Sequence, residues 1–194
     1  MIELTPDDHA TPLTPEERND LIPTHITSKE ELNRLEQANI ATADVWAFSR
    51  KHYLFGDRFL TGLHRRMFNR VWRWAGKIRT TERNLGVKPY LIETELCQAI
   101  DDAKYWVENK SYPPDELAVR FHHRIVSVHP FPNGNGRWSR LVADMSVEQL
   151  GGVRFTWGDG ADLRAAGNAR EAYIAALEAA DNHDLKPLIK FARS

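Results

Sequence analysis

Cysteine is almost missing from this 194-residue chain: Cys97 stands alone, so no internal disulfide can staple the fold. It lies in or beside the apolar series Ile92, Leu96, Ile100, Ala103 and Val107, a setting that reads as packing, not as a nucleophile. Long hydrophobic runs are missing too. No stretch approaches the ~20 apolar residues of a membrane span, and the opening MIELTPDDHATPL has acidic residues and prolines where a secretion signal needs a basic start and an apolar run. The expectation is a cytoplasmic protein without a membrane partner. Neither sign of charge predominates: 26 Lys and Arg face 27 Asp and Glu, so net charge favours neither direct nucleic-acid binding nor attraction to anionic lipid. The one local basic cluster, HRRMFNRVWRW, is interrupted by apolar residues at helical spacing and reads as a packed helix with snorkelling arginines. Repeats and low-complexity linkers are absent, and 42% hydrophobic residues in a chain this long support one globular domain.

What is present is helical periodicity, broken once. Pro6, Pro12, Pro15 and Pro23 mark residues 1–26 as an extended arm with at most a short turn around Pro15 to Leu21. Thr27 with Glu30, and Ser28 with Glu31, have capping-box spacing. Leu32, Leu35, Ala38, Ala41, Val45 and Phe48 then predict a helix from about 28 to 50. A second helix is predicted from 57 to 73, ended by Ala75-Gly76, and others at 93–109, 115–128, 136–150, 161–180 and 184–192. Between Arg79 and Leu91 the periodicity vanishes and short β-capable pieces flank Asn84 to Gly86, which predicts a small hairpin. The fold class expected is all-α: a helical bundle with one β-hairpin flap.

The densest chemistry lies in HPFPNGNGRWSR, residues 129–140. Gly134 and Gly136 can turn successive backbone N–H groups onto one point, an anion nest, and the helix that follows adds its N-terminal potential. Arg137 and Arg140, three apart, project from one side of that first turn, where their charge opposes the helix dipole but suits phosphate oxygens. His129 ends the preceding helix because Pro130 follows, and a neutral imidazole there can take a proton from an attacking hydroxyl. His122 and His123 are not read as a zinc pair, because adjacent helical residues point about 100° apart.

The segment resembles the Fic signature HxFx(D/E)GNGRxxR at every defined position but one. The likeness continues through WAGKIRTTERNLGVKPYLIETEL and AYIAALEAADNHDLKPLIKFA, so that it covers roughly residues 45–194 of a domain spanning 27–194. The phrasing TPLTPEE followed by ELNRLEQANI further resembles a bacterial subgroup labelled mobile mystery protein B. The resemblance implies a protein adenylyltransferase that moves AMP from ATP to a Ser, Thr or Tyr hydroxyl of a target protein. It makes His129 the catalytic base, gives Gly134, Asn135, Gly136, Arg137 and Arg140 to the phosphates, and offers Asn168 and Tyr173 for the adenine pocket. Phe131 would anchor the loop in the core, and the flap near Arg83, Lys88 and Tyr90 would dock a target strand. Asn133 departs from the signature by standing where an acidic Mg²⁺ ligand is usual; an amide oxygen carries no charge, so weaker metal binding follows.

Fic proteins often carry an inhibitory motif resembling (S/T)xxxE(G/N), whose glutamate pairs with the second signature arginine. Glu36 in LNRLEQANI is the nearest match, with Leu32 and Gln37 at the flanking positions. Two other readings stay open: a relative transferring phosphate, UMP or phosphocholine, and a nucleotide-binding regulator or toxin-antitoxin component with little catalysis. The mobile-element resemblance implies a regulatory or DNA-binding partner protein encoded nearby. A metal-dependent nuclease lacks the acidic ligands and basic groove it would need.

Overall fold

The computed structural model describes residues 14–159, 163 and 167–194. Among them the chain forms α1 (Pro15–Asn19), α2 (Lys29–Phe48), α3 (Asp57–Phe68), a single 3-10 turn (Pro89–Leu91), α4 (Ile92–Glu108), α5 (Pro114–Val128), α6 (Asn135–Gln149), α7 (Asn168–Asp181) and α8 (Lys186–Arg193). The first part of the arm, and part of the 161–167 stretch predicted to open α7, lie outside the described residues. No described helix is long and apolar enough to cross a membrane.

Helices α5 and α6 form the spine, because each has apolar residues on two faces. Phe121, Ile125 and Val128 of α5 join Trp138, Leu141, Val142 and Met145 of α6 in a core shared with α2, α3 and α4. Ala118 and Val119, with Ala143 and Val147, turn the other way into a second core with α7 and α8. The loop between α5 and α6 is thereby held by two packed layers, and burial of each large side chain contributes about 1.5–3 kcal/mol. Trp138 is fully buried and its indole N–H donates to the Leu60 carbonyl at 3.0 Å, which ties the start of α6 to α3.

Three expectations need correction. Helix α3 stops at Phe68, five residues before the predicted end, because the Asn39 side chain takes over its terminus. Asn39 Nδ2 donates to the Arg66 carbonyl at 2.8 Å and Oδ1 accepts from Arg70 N–H at 2.9 Å. Cys97 is exposed: the buried stripe of α4 is Ile92, Leu96, Ala99, Ile100 and Ala103, and Cys97 sits one position off it. Finally, no β-hairpin forms among the described residues, whose single isolated bridge joins Leu21 to Trp72. In the predicted hairpin the Arg79 guanidinium takes the Thr81 and Val87 carbonyls, at 2.8 and 2.5 Å, acceptors that a strand ladder would have used.

The arm is well anchored from residue 14 onward. Thr14 and Glu17 form a reciprocal capping box at α1. Ile22 N–H donates to Val71 O at 2.9 Å, and Arg73 N–H to Asp20 O at 2.9 Å. At α2, Ser28 and not Thr27 is the cap, accepting from Glu31 N–H at 3.1 Å.

Candidate active site

The loop from His129 to Gly134 owes its shape to two left-handed residues and one amide clamp. His129 caps α5 at φ 53°, ψ 59°, and Gly134 opens α6 at φ 81°. A side chain at Gly134 would also meet Phe68 at 2.6 Å, so glycine is required there on two counts. Asn135 Oδ1 accepts from Phe131 N–H at 2.9 Å while its Nδ2 donates to Phe131 O at 2.8 Å. Its side chain is a buried staple, a role the GNG pattern did not reveal. Phe131, fully buried and stacked on His64 at 3.7 Å, anchors the loop as expected.

His64 escaped the sequence reading because it looked like one more residue of a packed helix. Its Nδ1 accepts from Gly76 N–H at 3.0 Å, so Nε2 carries the proton that goes to Asn133 O, also at 3.0 Å. Complete burial pushes its pKa down to about 3, and it stays a neutral strut under the loop.

No side chain caps the N-terminus of α6, which leaves its first-turn N–H groups without a side-chain acceptor from the cap position. Arg137 and Arg140 both lie beside it, in different company. Arg137 Nη1 donates to Glu36 Oε2 at 2.6 Å, Glu36 Oε1 accepts from Trp72 Nε1 at 2.6 Å, and the Arg137 guanidinium lies 4.8 Å from the Phe68 ring centre. Glu36 thus meets the first signature arginine, not the second. Arg140 rests 5.4 Å from the Tyr173 ring centre. Tyr173 is buried, its hydroxyl 3.0 Å from His122 Nε2, so it carries Arg140 from below; Asn168 is exposed at the first turn of α7.

His129 is half-buried, and its pKa is pushed down to about 4, chiefly by burial and then by the Arg79 and Arg83 charges. A hydrogen bond to the Val126 backbone opposes the shift. Neutral imidazole is therefore the resting form near pH 7. Of the residues expected to dock a target, Lys88 and Tyr90 are exposed, whereas the Arg83 guanidinium is buried in an ion pair with Glu17 of α1.

Asn133 offers Mg²⁺ a poor fit. Its uncharged Oδ1 already accepts from Gly134 N–H at 2.6 Å and faces Arg137 Nη2 at 3.4 Å. No group of three or more His, Cys, Asp or Glu able to hold an ion occurs among the described residues.

Two packed helices joined by a tight loop thus place His129, the uncapped start of α6 and two arginines in one stretch of the fold. The Fic/DOC family model matches residues 56–146 of this chain. Protein adenylyltransferase fic-1 of Caenorhabditis briggsae is 29% identical over 151 residues, covering 74% of this chain and 27% of that protein. The Caenorhabditis elegans protein of the same name is 30% identical over 124 residues, 60% of this chain and 22% of its own length. This chain therefore spans about a quarter of the length of these curated relatives. Among solved structures, BepC, a VirB-translocated effector of Bartonella tribocorum with bound AMPPNP, superposes with a TM-score of 0.70 at 18% identity, over 93% of this chain and 97% of that one.

Proposed function

We propose that this chain is a protein adenylyltransferase held in check by Glu36. The observation that carries the reading is the junction of α5 and α6. There a neutral, half-buried His129 stands near the uncapped N-terminus of a helix whose first two turns carry two arginines. A target hydroxyl oxygen attacks the α-phosphorus of ATP, its proton passes to His129, and the bond to pyrophosphate breaks in line. The first-turn amides of α6 receive the phosphates, with Arg140 and a released Arg137 gripping the outer oxygens. Positioning and electrostatics carry the rate. Relatives named protein adenylyltransferase and the fold shared with an AMPPNP-bound effector support the nucleotide and the reaction class.

Glu36 supports the restraint. Buried against Trp72, it occupies Arg137, and a phosphate can take that guanidinium only by breaking a charge-assisted pair. The internal use of the Asn133 oxygen favours a second reading, a nucleotide-binding regulator with little turnover. Measuring ATP affinity and label transfer side by side on one preparation separates the two. Transfer that falls by about 10²- to 10⁴-fold in His129→Ala, with binding retained, supports the transferase. Binding without transfer, even after Glu36 is removed, supports the regulator.

A further inference from the structure

Arg79 is 2% exposed, yet its guanidinium is spent on main-chain oxygens from three places. Nε donates to the His129 carbonyl at 2.7 Å, Nη1 to Thr81 O at 2.8 Å, and Nη2 to Val87 O at 2.5 Å. The two ends of the same segment add backbone bonds to this loop, Arg79 N–H to Pro130 O at 2.9 Å and Val87 N–H to Val128 O at 3.3 Å. Gly86 closes the contact: a Cβ there would collide with His129 Cβ and approach Arg79 Nη2 at 2.9 Å.

Burying a guanidinium is costly, and an apolar side chain of similar volume would fill the space at lower cost. What an apolar side chain cannot do is fix the direction of three carbonyls at once. His129 needs such fixing, because its left-handed backbone, at φ 53° and ψ 59°, is strained for a non-glycine residue and persists only where its surroundings impose it. Turning the His129 carbonyl would swing the imidazole with it.

We propose that Arg79 is the positioning residue of the base: its fork locks the His129 backbone to Thr81 and Val87, so that the segment 79–87 and the imidazole form one rigid unit. The inference rests on reading His129 as the base. A target segment lying along residues 79–87 is then held in fixed register to the imidazole by the protein's own main chain. The charged groups around the base are consistent with this arrangement. Burial chiefly keeps the imidazole neutral; Arg79 and Arg83 add to this, and Glu17 and Glu82 act in turn on Arg79.

The test compares Arg79→Lys and Arg79→Gln in a Glu36→Gly background. It reads thermal stability, ATP affinity, label transfer against pH, and the NMR titration of the His129 ring, assigned by its loss in His129→Ala. Lys keeps the charge and loses the fork: transfer at saturating ATP should fall about 100-fold, the scale of a misplacement near 1 Å, with ATP affinity within about twofold. Gln loses both. Transfer should fall at least as far, and the ring titration should rise above about 4 while burial still holds it below the ordinary value, with the acid limb of the rate following it. A folded Lys variant with parental turnover, or a rate loss that appears wholly as weaker ATP binding, would overturn the proposal; should the Gln variant not fold, the Lys variant decides alone. If His129→Ala transfers label like its parent while Arg79→Gln still moves the ring titration, the base reading fails and the coupling of Arg79 to His129 stands.

Discussion

Replacing Glu36 with glycine should make the protein less stable and a better nucleotide binder, and the opposition of those two effects is the signature of a brake. Glu36 makes a 2.6 Å ion pair with Arg137, side chains 10% and 16% exposed, and a 2.6 Å hydrogen bond from Trp72 Nε1. Charge-assisted hydrogen bonds of this kind contribute about 1.5–3 kcal/mol. If phosphate must displace that pair, its removal tightens ATP binding by about 10- to 100-fold. The same change leaves the Trp72 N–H and a largely buried Arg137 without their acceptor and puts glycine inside α2, at a cost of about 2–5 kcal/mol in stability. Glu36→Gln separates the contributions, since its amide oxygen can still accept from Trp72 while the charge is gone. It should keep most of the affinity gain and lose less stability. Calorimetric titration with a non-hydrolysable ATP analogue, beside thermal denaturation of the same samples, reads both quantities. Affinity within about twofold of the parent in a destabilised Glu36→Gly protein would refute the reasoning, because it would make the ion pair a fold contact with no bearing on phosphate.

Acid should destabilise the fold with a predictable slope. His64 and His122 have pKa values near 3 and His129 near 4, so below pH 6.5 the unfolded chain takes up three protons that the native state refuses. Asp144, raised to about 6 by burial, takes up one proton in the native state and offsets one of these between pH 6 and 4. Stability should then fall by about 3 kcal/mol per pH unit across that window, measurable by urea unfolding; a flat profile would contradict the buried neutral histidines. Arg154 bridges Asp44 of α2 to Asp144 of α6, with Nη1 3.1 Å from Asp44 Oδ2 and Nε 3.2 Å from Asp144 Oδ2. Arg154→Ala should loosen α2 by about 1 kcal/mol and raise transfer less than Glu36→Gly does. Glu17→Ala removes the partner of the buried Arg83 and should speed amide exchange at Arg79 and Val87, while sparing α8.

Much of the helical framework was legible because periodicity and capping residues are local. α4, α5 and α6 lie within a residue or two of the expected spans. The face of α2 was not. The apolar set placed Val45 inwards, yet Val45 is 73% exposed and the buried stripe runs Leu32, Glu36, Asn39, Ala43, Ala47. Two polar residues on that stripe hide it from any search for apolar spacing, and both are polar for reasons lying elsewhere in the chain. Asn39 ends α3, and Glu36 holds Arg137 and Trp72. Glu36 was reachable only through its motif, which also suggested the other arginine.

The flap failed for a related reason. Turn-forming residues between β-capable pieces do predict a hairpin, but they say nothing of a distant guanidinium competing for the carbonyls. Arg79 and His64 carry no local mark at all: one sits among ordinary loop residues and the other in a helix, and their roles appear only when the His129 loop packs against them. Tyr173, which likeness offers for an adenine pocket, is buried beside Arg140 with its hydroxyl 3.0 Å from His122 Nε2, a packing role no local pattern announces.

The most direct measurement follows label from ATP carrying it at the α- or the γ-phosphate onto the protein itself and onto a cell lysate. Wild type, Glu36→Gly and the double variant Glu36→Gly/His129→Ala are compared. The account predicts covalent transfer of the α-label alone, stronger in Glu36→Gly than in wild type and lost in the double variant. Transfer of the γ-label, or α-label transfer that survives without His129, would contradict it.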